Sequence, residues 1–297
     1  MHGTRARAVH HSRMSQTQDS IHYDQMVCSG GGTRCFWQGG FLDVVRDGID
    51  LSPVRISAVS GGALTGAGFI TRKGRDVLDA MMAAFAHTDA NVTLHDLTHG
   101  TGSTPHQRIY REVVGDVFDA AACRIVANGP SFQVLIGRPP LDRAPKLSGS
   151  AAALAYEAEL HLIGNPHFNW AEKIGVTAEL VDARQAARDG RLVDLICAAA
   201  VIPPVFDPPL WDGRPVIDGG MADQAPLPQP DEGSTLILLT RDYARIPQIE
   251  TRHYVRPSHK VEADKIDFTD PDKIARTWAQ GEADGREFLK TRKTTQE

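Results

Sequence analysis

Ser60 is the residue of this chain whose type and setting best fit nucleophilic chemistry. It stands between an apolar, β-branched run and a run of small residues, in the stretch Ala58-Val59-Ser60-Gly61-Gly62. A serine at a strand-to-helix joint is the pattern of a nucleophile elbow, in which a tight turn exposes the hydroxyl at the carboxyl edge of a sheet. The helix N-terminus beside it offers unpaired N–H groups to a developing oxyanion. Serines in Gly- and Ala-rich turns are also common structural residues, so this stretch alone leaves both interpretations open.

A triple glycine forms the second such stretch, Gly30-Gly31-Gly32, and Thr33 and Arg34 follow it. Glycines between a strand and a helix let backbone N–H groups come close to an anion. A nucleotide site is disfavoured because the G-K-[ST] of a phosphate loop is missing and Cys35 occupies the last glycine position of a dinucleotide loop. An anion-binding loop and a tight turn without a ligand both stay open.

Asp218 is the third candidate, directly before Gly219 and Gly220. The dipeptide Asp212-Gly213 predicts the tight turn of a hairpin, and Val216–Ile217 a short strand that delivers Asp218. An aspartate before glycines often bonds its own backbone, which is turn chemistry. The same carboxylate is also a proton acceptor if it lies near a nucleophile.

No metal or cofactor site is predicted. The cysteines show no C-x-x-C spacing, so zinc is disfavoured and reduced thiols are expected in Cys28, Cys35, Cys123 and Cys197. His95 and His99 stand four residues apart, but no H-E-x-x-H pattern surrounds them.

Strands and helices alternate along the chain and must position these residues. The apolar patterns predict strands at 23–28, 54–59, 132–136 and 235–240, and helices at 36–48, 61–70, 75–87, 107–118, 151–160, 192–204 and 271–290. Asp270 and Pro271 predict the N-cap and first position of the last helix. Residues 176–181 fit a strand or a helix edge, and Gly137–Ser150, with three prolines, predicts a loop or lid.

Length and composition bound the answer further. The 297 residues suit one large domain or two small ones, and the net charge of −5 argues against a nucleic-acid partner. No apolar run reaches the ~20 residues of a membrane-spanning helix, and residues 1–22 lack the apolar stretch of a secretory signal. We therefore predict a disordered tail or a misplaced start codon at 1–22, a globular domain at 23–297 and a cytoplasmic location.

Aromatic residues follow the triple glycine at helical spacing. Phe36, Trp37 and Phe41 could contact acyl chains or a membrane surface. A stripe of this spacing is more often one side of a helix packed on a core. The core interpretation is favoured, and peripheral membrane contact stays as the alternative.

Taken together and in this order, these stretches resemble the patatin-like phospholipase family. The resemblance rests on Gly30 to Arg34, Ala58 to Gly62, Asp218 to Gly220 and the preceding segment Ala198 to Phe206. The end of the chain, with Arg256-Pro257-Ser258 and Asp267-Phe268-Thr269, is similar to bacterial members. The resemblance covers about residues 25–290.

This resemblance implies a three-layer α/β/α fold with a mostly parallel central sheet. It implies a serine lipid acyl hydrolase that cleaves carboxylic esters of glycerolipids or phospholipids without a cofactor. Ser60 would be the nucleophile and Asp218 the base of a dyad. The implied oxyanion hole consists of Gly30, Gly31, Gly32 and Thr33 with Arg34 beside it, and the supporting glycines are Gly61, Gly62, Gly219 and Gly220.

Several positions depart from the family pattern: Ala58 replaces the first glycine of the elbow, Cys35 follows Arg34, and Gln224 stands where an asparagine is common. Ala58 and Cys35 motivate a second hypothesis, a catalytically weak or inactive lipid-binding or scaffold protein on the same fold. A third hypothesis keeps the enzyme but uses a Ser–Asp–His triad, with His253 or His259.

Overall fold

The computed structural model describes residues 22–86, 105–140, 164–167, 175–201, 207–265 and 267–294. Residues 1–21 of the predicted tail, the pair His95 and His99, the predicted helix at 151–160 and residues 141–150 of the predicted loop lie outside these ranges.

A mostly parallel sheet forms the centre of the fold, which confirms the predicted α/β class. Along its main path the strands follow the order β4-β3-β2-β1-β8-β9, and neighbours are parallel except for the pair of β3 and β4. A short seventh strand, β7, pairs antiparallel with β3. The strands are β1 Gln25–Cys28, β2 Arg55–Val59, β3 Ser131–Arg138, β4 Thr177–Asp182, β7 Ile217–Asp218, β8 Thr235–Leu238 and β9 Arg252–Val255.

Helices flank the sheet and bury most of its apolar surface. They are α1 Phe36–Gly48, α2 Gly61–Thr71, α3 Gly74–Ala86, α4 Pro105–Val117, α5 Ala120–Asn128, α6 Ala183–Arg188, α7 Leu192–Ala199 and α8 Pro271–Thr294. On β1, Met26 and Cys28 face the core that these helices form, whereas Val27 faces a smaller cluster on the opposite side with Ile237. This alternation is that of a strand buried on both faces.

Two of the predicted turns have the expected geometry. Strands β5 Leu210–Trp211 and β6 Arg214–Pro215 pair antiparallel around Asp212 and Gly213, whose φ angles are 50° and 75°. Positive φ at both central residues is what a two-residue hairpin requires. At the start of α8, a side-chain oxygen of Asp270 accepts hydrogen bonds from the N–H groups of Asp272 and Lys273, which confirms the predicted N-cap.

The structure corrects predicted bounds, decides one open alternative and adds one strand. The helix predicted at 192–204 ends at Ala199. β3 continues through Arg138, so the predicted loop does not begin at Gly137. Of the two alternatives for residues 176–181, the strand is confirmed, because β4 at 177–182 pairs along six residues of β3. The strand β9 was not predicted at all. Among the described helices, none has the length and hydropathy needed to cross a membrane.

Candidate active site

Ser60 lies at a sharp turn between β2 and α2. Its φ of 55° and ψ of −136° fall in a region that non-glycine residues rarely adopt, at a cost of roughly 1–3 kcal/mol. Strain of this kind persists where the surrounding structure enforces it. Here α2 sits so close to the sheet that a Cβ on Gly62 would be 2.3 Å from the carbonyl oxygen of Cys28. The small residues after Ser60 therefore let the helix begin directly above the strand ends.

Asp218 reaches Ser60 through the register of β3. β2 pairs with β3 as far as Val59 opposite Leu135, while β4 covers β3 from Gln133 to Arg138. A strand has two edges, and β4 occupies one edge of β3. β7 therefore pairs with β3 along the other edge, the one that β2 uses, beyond the point where β2 ends. In that register Asp218 stands opposite Ile136, one residue past Leu135. Ser60 and Asp218 are thus brought side by side by their common neighbour.

The two side chains are joined by a hydrogen bond. The hydroxyl of Ser60 donates to Oδ2 of Asp218 at 2.6 Å, and each residue is only 3% exposed. The other carboxylate oxygen, Oδ1, accepts the N–H of Gly220 at 2.7 Å. This second bond fixes the carboxylate, so that Oδ2 faces the serine.

Burial governs the protonation of Asp218. Desolvation of the carboxylate raises the pKa of Asp218 above 3.8, against the opposing effects of the Ser60 hydrogen bond, the positive charge of Lys265 and the Gly220 N–H. A carboxylate with a raised pKa is a stronger proton acceptor than an ordinary aspartate. The pair therefore has the chemistry of an alcohol held by a general base.

Glycines are required where the segments of the site meet. A Cβ on Gly31 would lie 2.4 Å from Oγ1 of Thr240, and one on Gly32, whose φ is +57°, would lie 1.9 Å from the carbonyl oxygen of Lys265. Equally close contacts, between 2.3 and 2.6 Å, would arise at the four glycines expected to support the site: Gly61, Gly62, Gly219 and Gly220.

The amides of the first loop differ in availability. Gly30 N–H donates to Gln224 O, Thr33 N–H to Lys265 O and Arg34 N–H to Gly31 O. In the described part of the chain, no acceptor takes the N–H of Gly31 or of Gly32. The five residues expected at the oxyanion hole therefore contain two amides that are open to a ligand.

Arg34 and Cys35 line two different cavities. The Arg34 side chain lines a separate cavity that Ser60 does not line. Cys35 borders the same cavity as Ser60, and burial raises the pKa of its thiol well above the usual range. Cys35 is therefore a neutral thiol in the wall of the site.

An apolar cavity opens beside Ser60 and runs between α1 and α2. Its wall includes residues from the first to the last turns of both helices, from Phe36 to Arg46 and from Gly61 to Arg72. Both helices follow neighbouring parallel strands, so both begin near Ser60, and the cavity follows them to their far ends. At a rise of 1.5 Å per residue, it extends about 15 Å from Ser60. The apolar lining is provided chiefly by Phe36, Leu64, Phe69, Val77, Met81 and Phe85.

The aromatic residues at helical spacing on α1 lie mainly in the core, which is the interpretation that the sequence pattern favours. Trp37 and Phe41 are fully buried, and their rings stack with centroids 5.3 Å apart. Phe36 is 8% exposed and contributes to the cavity.

Two residues of the site were given no role from the sequence. Gln224 connects the Asp-Gly-Gly turn to the glycine loop. Its side-chain Nε2 donates to Gly220 O, and its backbone carbonyl accepts the N–H of Gly30. Tyr110 lines the apolar cavity, and its hydroxyl is buried without a partner among the described residues. Burial raises the pKa of Tyr110 well above 10, so this hydroxyl stays protonated. The short spacing between Asp218 and Gln224 could have indicated that Gln224 lies at the site. No sequence pattern indicated Tyr110.

Neither proposed histidine is near the pair. His253 lies on β9, three strand positions from β2 and hence about 14 Å away, and its Nδ1 is 2.6 Å from the hydroxyl of Tyr23. His259 is exposed and borders the separate cavity. Within the described ranges, no cluster of three His, Cys, Asp or Glu could hold a metal ion.

Comparison with known proteins completes this description. The sequence model of the family described as patatin-like phospholipase matches residues 26–231, which include both Ser60 and Asp218. Residues 232–290, to which the resemblance seen in the sequence extended, lie beyond that match. The chain is also similar to the crystal structure of VipD from Legionella pneumophila, with 11% identity and a TM-score of 0.49, over 91% of this chain and 67% of VipD. No curated protein matches the chain in sequence.

Proposed function

This chain belongs to the patatin-like phospholipase family, and from that premise we propose that it is a serine lipid acyl hydrolase in which Ser60 and Asp218 form a catalytic dyad. Members of this family are typically lipid hydrolases. The observation that carries the proposal is the 2.6 Å hydrogen bond from Ser60 to a buried, oriented carboxylate. The substrate class is the carboxylic esters of glycerolipids or phospholipids.

The proposed reaction begins with attack of the Ser60 oxygen on the ester carbonyl carbon. The serine proton passes to Oδ2 of Asp218 as the new C–O bond forms. When the tetrahedral intermediate collapses, the leaving alkoxide takes that proton and departs as an alcohol. Water then attacks the acyl-enzyme and gives a proton to Asp218. As the second tetrahedral intermediate collapses, that proton passes to the departing Ser60 oxygen, which releases the fatty acid and restores the enzyme.

The oxyanion needs donors that are not already bonded elsewhere. Of the five loop residues, Gly31 and Gly32 have amides without a protein acceptor in the described part of the chain, so we assign the hole to these two. Contact between the loop and the elbow supports this assignment, because a Cβ on Gly61 would lie 2.6 Å from Gly32 O. Each preorganised donor contributes about 3 kcal/mol to transition-state stabilisation.

The apolar cavity is proposed to hold the acyl chain. It begins at the reacting serine and its wall is largely aliphatic and aromatic, which suits a hydrocarbon. An ester whose carbonyl lies at Ser60 would extend its acyl chain between α1 and α2. The head group would stay on the side of the glycine loop.

A fluorophosphonate probe tests the proposal and separates it from the scaffold hypothesis. Wild-type protein should form a covalent adduct that peptide mass spectrometry maps to Ser60, and Ser60→Ala should form none. Ser52→Ala is the matched control, since this exposed serine lies outside the site. Absence of labelling at Ser60 in folded wild-type protein would support the inactive lipid-binding scaffold instead.

A further inference from the structure

A second cavity lies at the same edge of the sheet, beyond the ends of β8 and β9. It encloses about 600 Å³ and is lined by Arg34, by residues 240–242 that follow β8, and by residues 256–261 and 263–265 that follow β9. In open α/β sheets, ligands bind outside the carboxyl ends of the strands. The position alone therefore suits a binding site, and the proposed dyad does not use it.

Positive charge dominates this cavity. Five of its lining residues are Arg34, Arg241, Arg256, Lys260 and Lys265, whereas its carboxylates are Asp242 and Asp264. Asp242 pairs with Arg256, so these two lining residues offset each other, whereas Asp264 pairs with Lys273 outside the cavity. The chain as a whole is acidic, with a net charge of −5, so the cationic excess is a local feature.

Arg34 adds an unmet hydrogen-bonding need. Its Nε is buried and has no acceptor among the described residues. A buried donor on a charged group is costly to leave unsatisfied. Nε is enclosed by the protein rather than exposed to the cavity, but Arg34 lines the cavity and adds a positive charge to its wall.

We propose that this basic cavity binds a phosphate group, as a phosphate monoester or diester. Guanidinium groups present planar pairs of N–H donors that match phosphate oxygens, and lysine ammonium groups add point charges beside them. Arg241 is held for this role by its position over the ring of Tyr243, 4.4 Å from the centroid. A phosphate offers these donors three or four oxygens, whereas a carboxylate offers two.

The basic cavity adjoins the proposed active site through Lys265. This residue lines both cavities, and its carbonyl oxygen accepts the N–H of Thr33 in the glycine loop. Two sources of phosphate fit this location: the head group of a phospholipid whose acyl chain lies in the apolar cavity, or a free phosphate. The first source rests on the proposed function, whereas binding itself does not.

Binding is tested with inorganic phosphate by isothermal titration calorimetry at constant ionic strength, with chloride as the reference anion. The measurement uses Ser60→Ala protein, so its outcome is independent of catalysis. We expect saturable binding that weakens about tenfold or more in Arg34→Gln and in Lys260→Gln. Lys260 is exposed, so its variant should fold even if Arg34→Gln does not.

Arg124→Gln, an exposed arginine on α5, is the control and should bind like the parent protein. Phosphate that binds no better than chloride would overturn the proposal. Equal phosphate affinity in Lys260→Gln, Arg34→Gln and Arg124→Gln would overturn it as well.

Competition then identifies the source. If the site receives a head group, inorganic phosphate inhibits wild-type hydrolysis of phosphatidylglycerol competitively but leaves hydrolysis of diacylglycerol unchanged. If the basic cavity receives free phosphate, phosphate still binds in calorimetry but does not inhibit the hydrolysis of either substrate. Both outcomes support the phosphate site, and they assign different ligands to it.

Discussion

The hydroxyl of Ser60 lies 2.6 Å from Oδ2 of Asp218, although 158 residues separate the two in sequence. β3 explains this proximity, because β2 and β7 share one of its edges. The relationship places a serine hydroxyl beside a carboxylate with no histidine between them, and the predictions below depend on it.

Removing the base should abolish most activity without unfolding the protein. In Asp218→Asn the amide can still accept the Gly220 N–H but cannot take the serine proton. We expect kcat for a short p-nitrophenyl ester to fall by roughly 10²–10⁴-fold. Asp116→Asn, an exposed change on α4, should keep wild-type turnover. Turnover of Asp218→Asn within a few-fold of wild type would remove Asp218 from the mechanism.

The pH profile should carry the signature of the buried carboxylate. Only the ionised form of Asp218 accepts a proton, and burial raises its pKa above 3.8. The acidic limb of kcat/KM should therefore have its midpoint above pH 3.8, with activity lost as the pH falls through it. A single-group limb at or below pH 3.8 would contradict the assigned base.

The contribution of Asp218 to the free energy of unfolding should fall as the pH rises, which is the opposite of the trend in activity. A folded-state pKa above the unfolded value means that the folded protein binds the proton more tightly. The contribution of Asp218 to the free energy of unfolding is thus greatest at low pH and is lost as the pH rises through the folded pKa. Relative to wild type, Asp218→Asn should become more stable as the pH rises across this window. Parallel stability curves, measured by urea unfolding, would count against the raised pKa.

Gly32 should tolerate no side chain. In Gly32→Ala the backbone at φ +57° is strained, and the new Cβ meets Lys265 O. We expect a loss of more than about 1 kcal/mol in the free energy of unfolding and a further loss of ester hydrolysis. Gly115→Ala is the matched control: a Cβ there has no neighbour within 4 Å, so the helix should gain up to about 1 kcal/mol. Equal stability of the two variants would show that the loop can move away.

Chain-length preference should respond to Val77. This residue lies one turn into α3, at the end of the apolar cavity away from Ser60. Val77→Phe should lower kcat/KM for long-chain p-nitrophenyl esters by roughly tenfold or more while sparing short-chain esters. The exposed Val54→Phe is the control and should leave the whole chain-length series unchanged. A uniform loss across the series in Val77→Phe would place the acyl chain elsewhere.

Local turn chemistry explains why the turns at Ser60 and Asp218 could be predicted from the sequence, whereas their pairing as a dyad was implied only by the family resemblance. The elbow at Ser60 is defined by the strand before it and the small residues after it. The hairpin around Asp212 and Gly213 likewise points to the strand that ends at Asp218. Both signals lie within about ten residues, which is the range that periodicity and turn patterns cover.

Features set by distant parts of the chain could not be predicted. The amides of Gly30 and Thr33 donate to the backbone carbonyls of Gln224 and Lys265, which are 194 and 232 positions away. The choice of Gly31 and Gly32 for the proposed oxyanion hole therefore depends on the three-dimensional structure. β9 has a polar, half-buried pattern typical of an edge strand, which hides it from hydrophobic periodicity. The basic cavity is also assembled from segments that are far apart in sequence.

Fatty-acid release from a panel of phospholipids and glycerolipids, measured for wild type and Ser60→Ala in parallel, tests the central claim most directly. We expect wild type to release fatty acid from at least one lipid and Ser60→Ala, folded to the same extent by circular dichroism, to be slower by roughly 10³-fold or more. Release by Ser60→Ala at a rate close to wild type would contradict the assignment of Ser60 as the nucleophile.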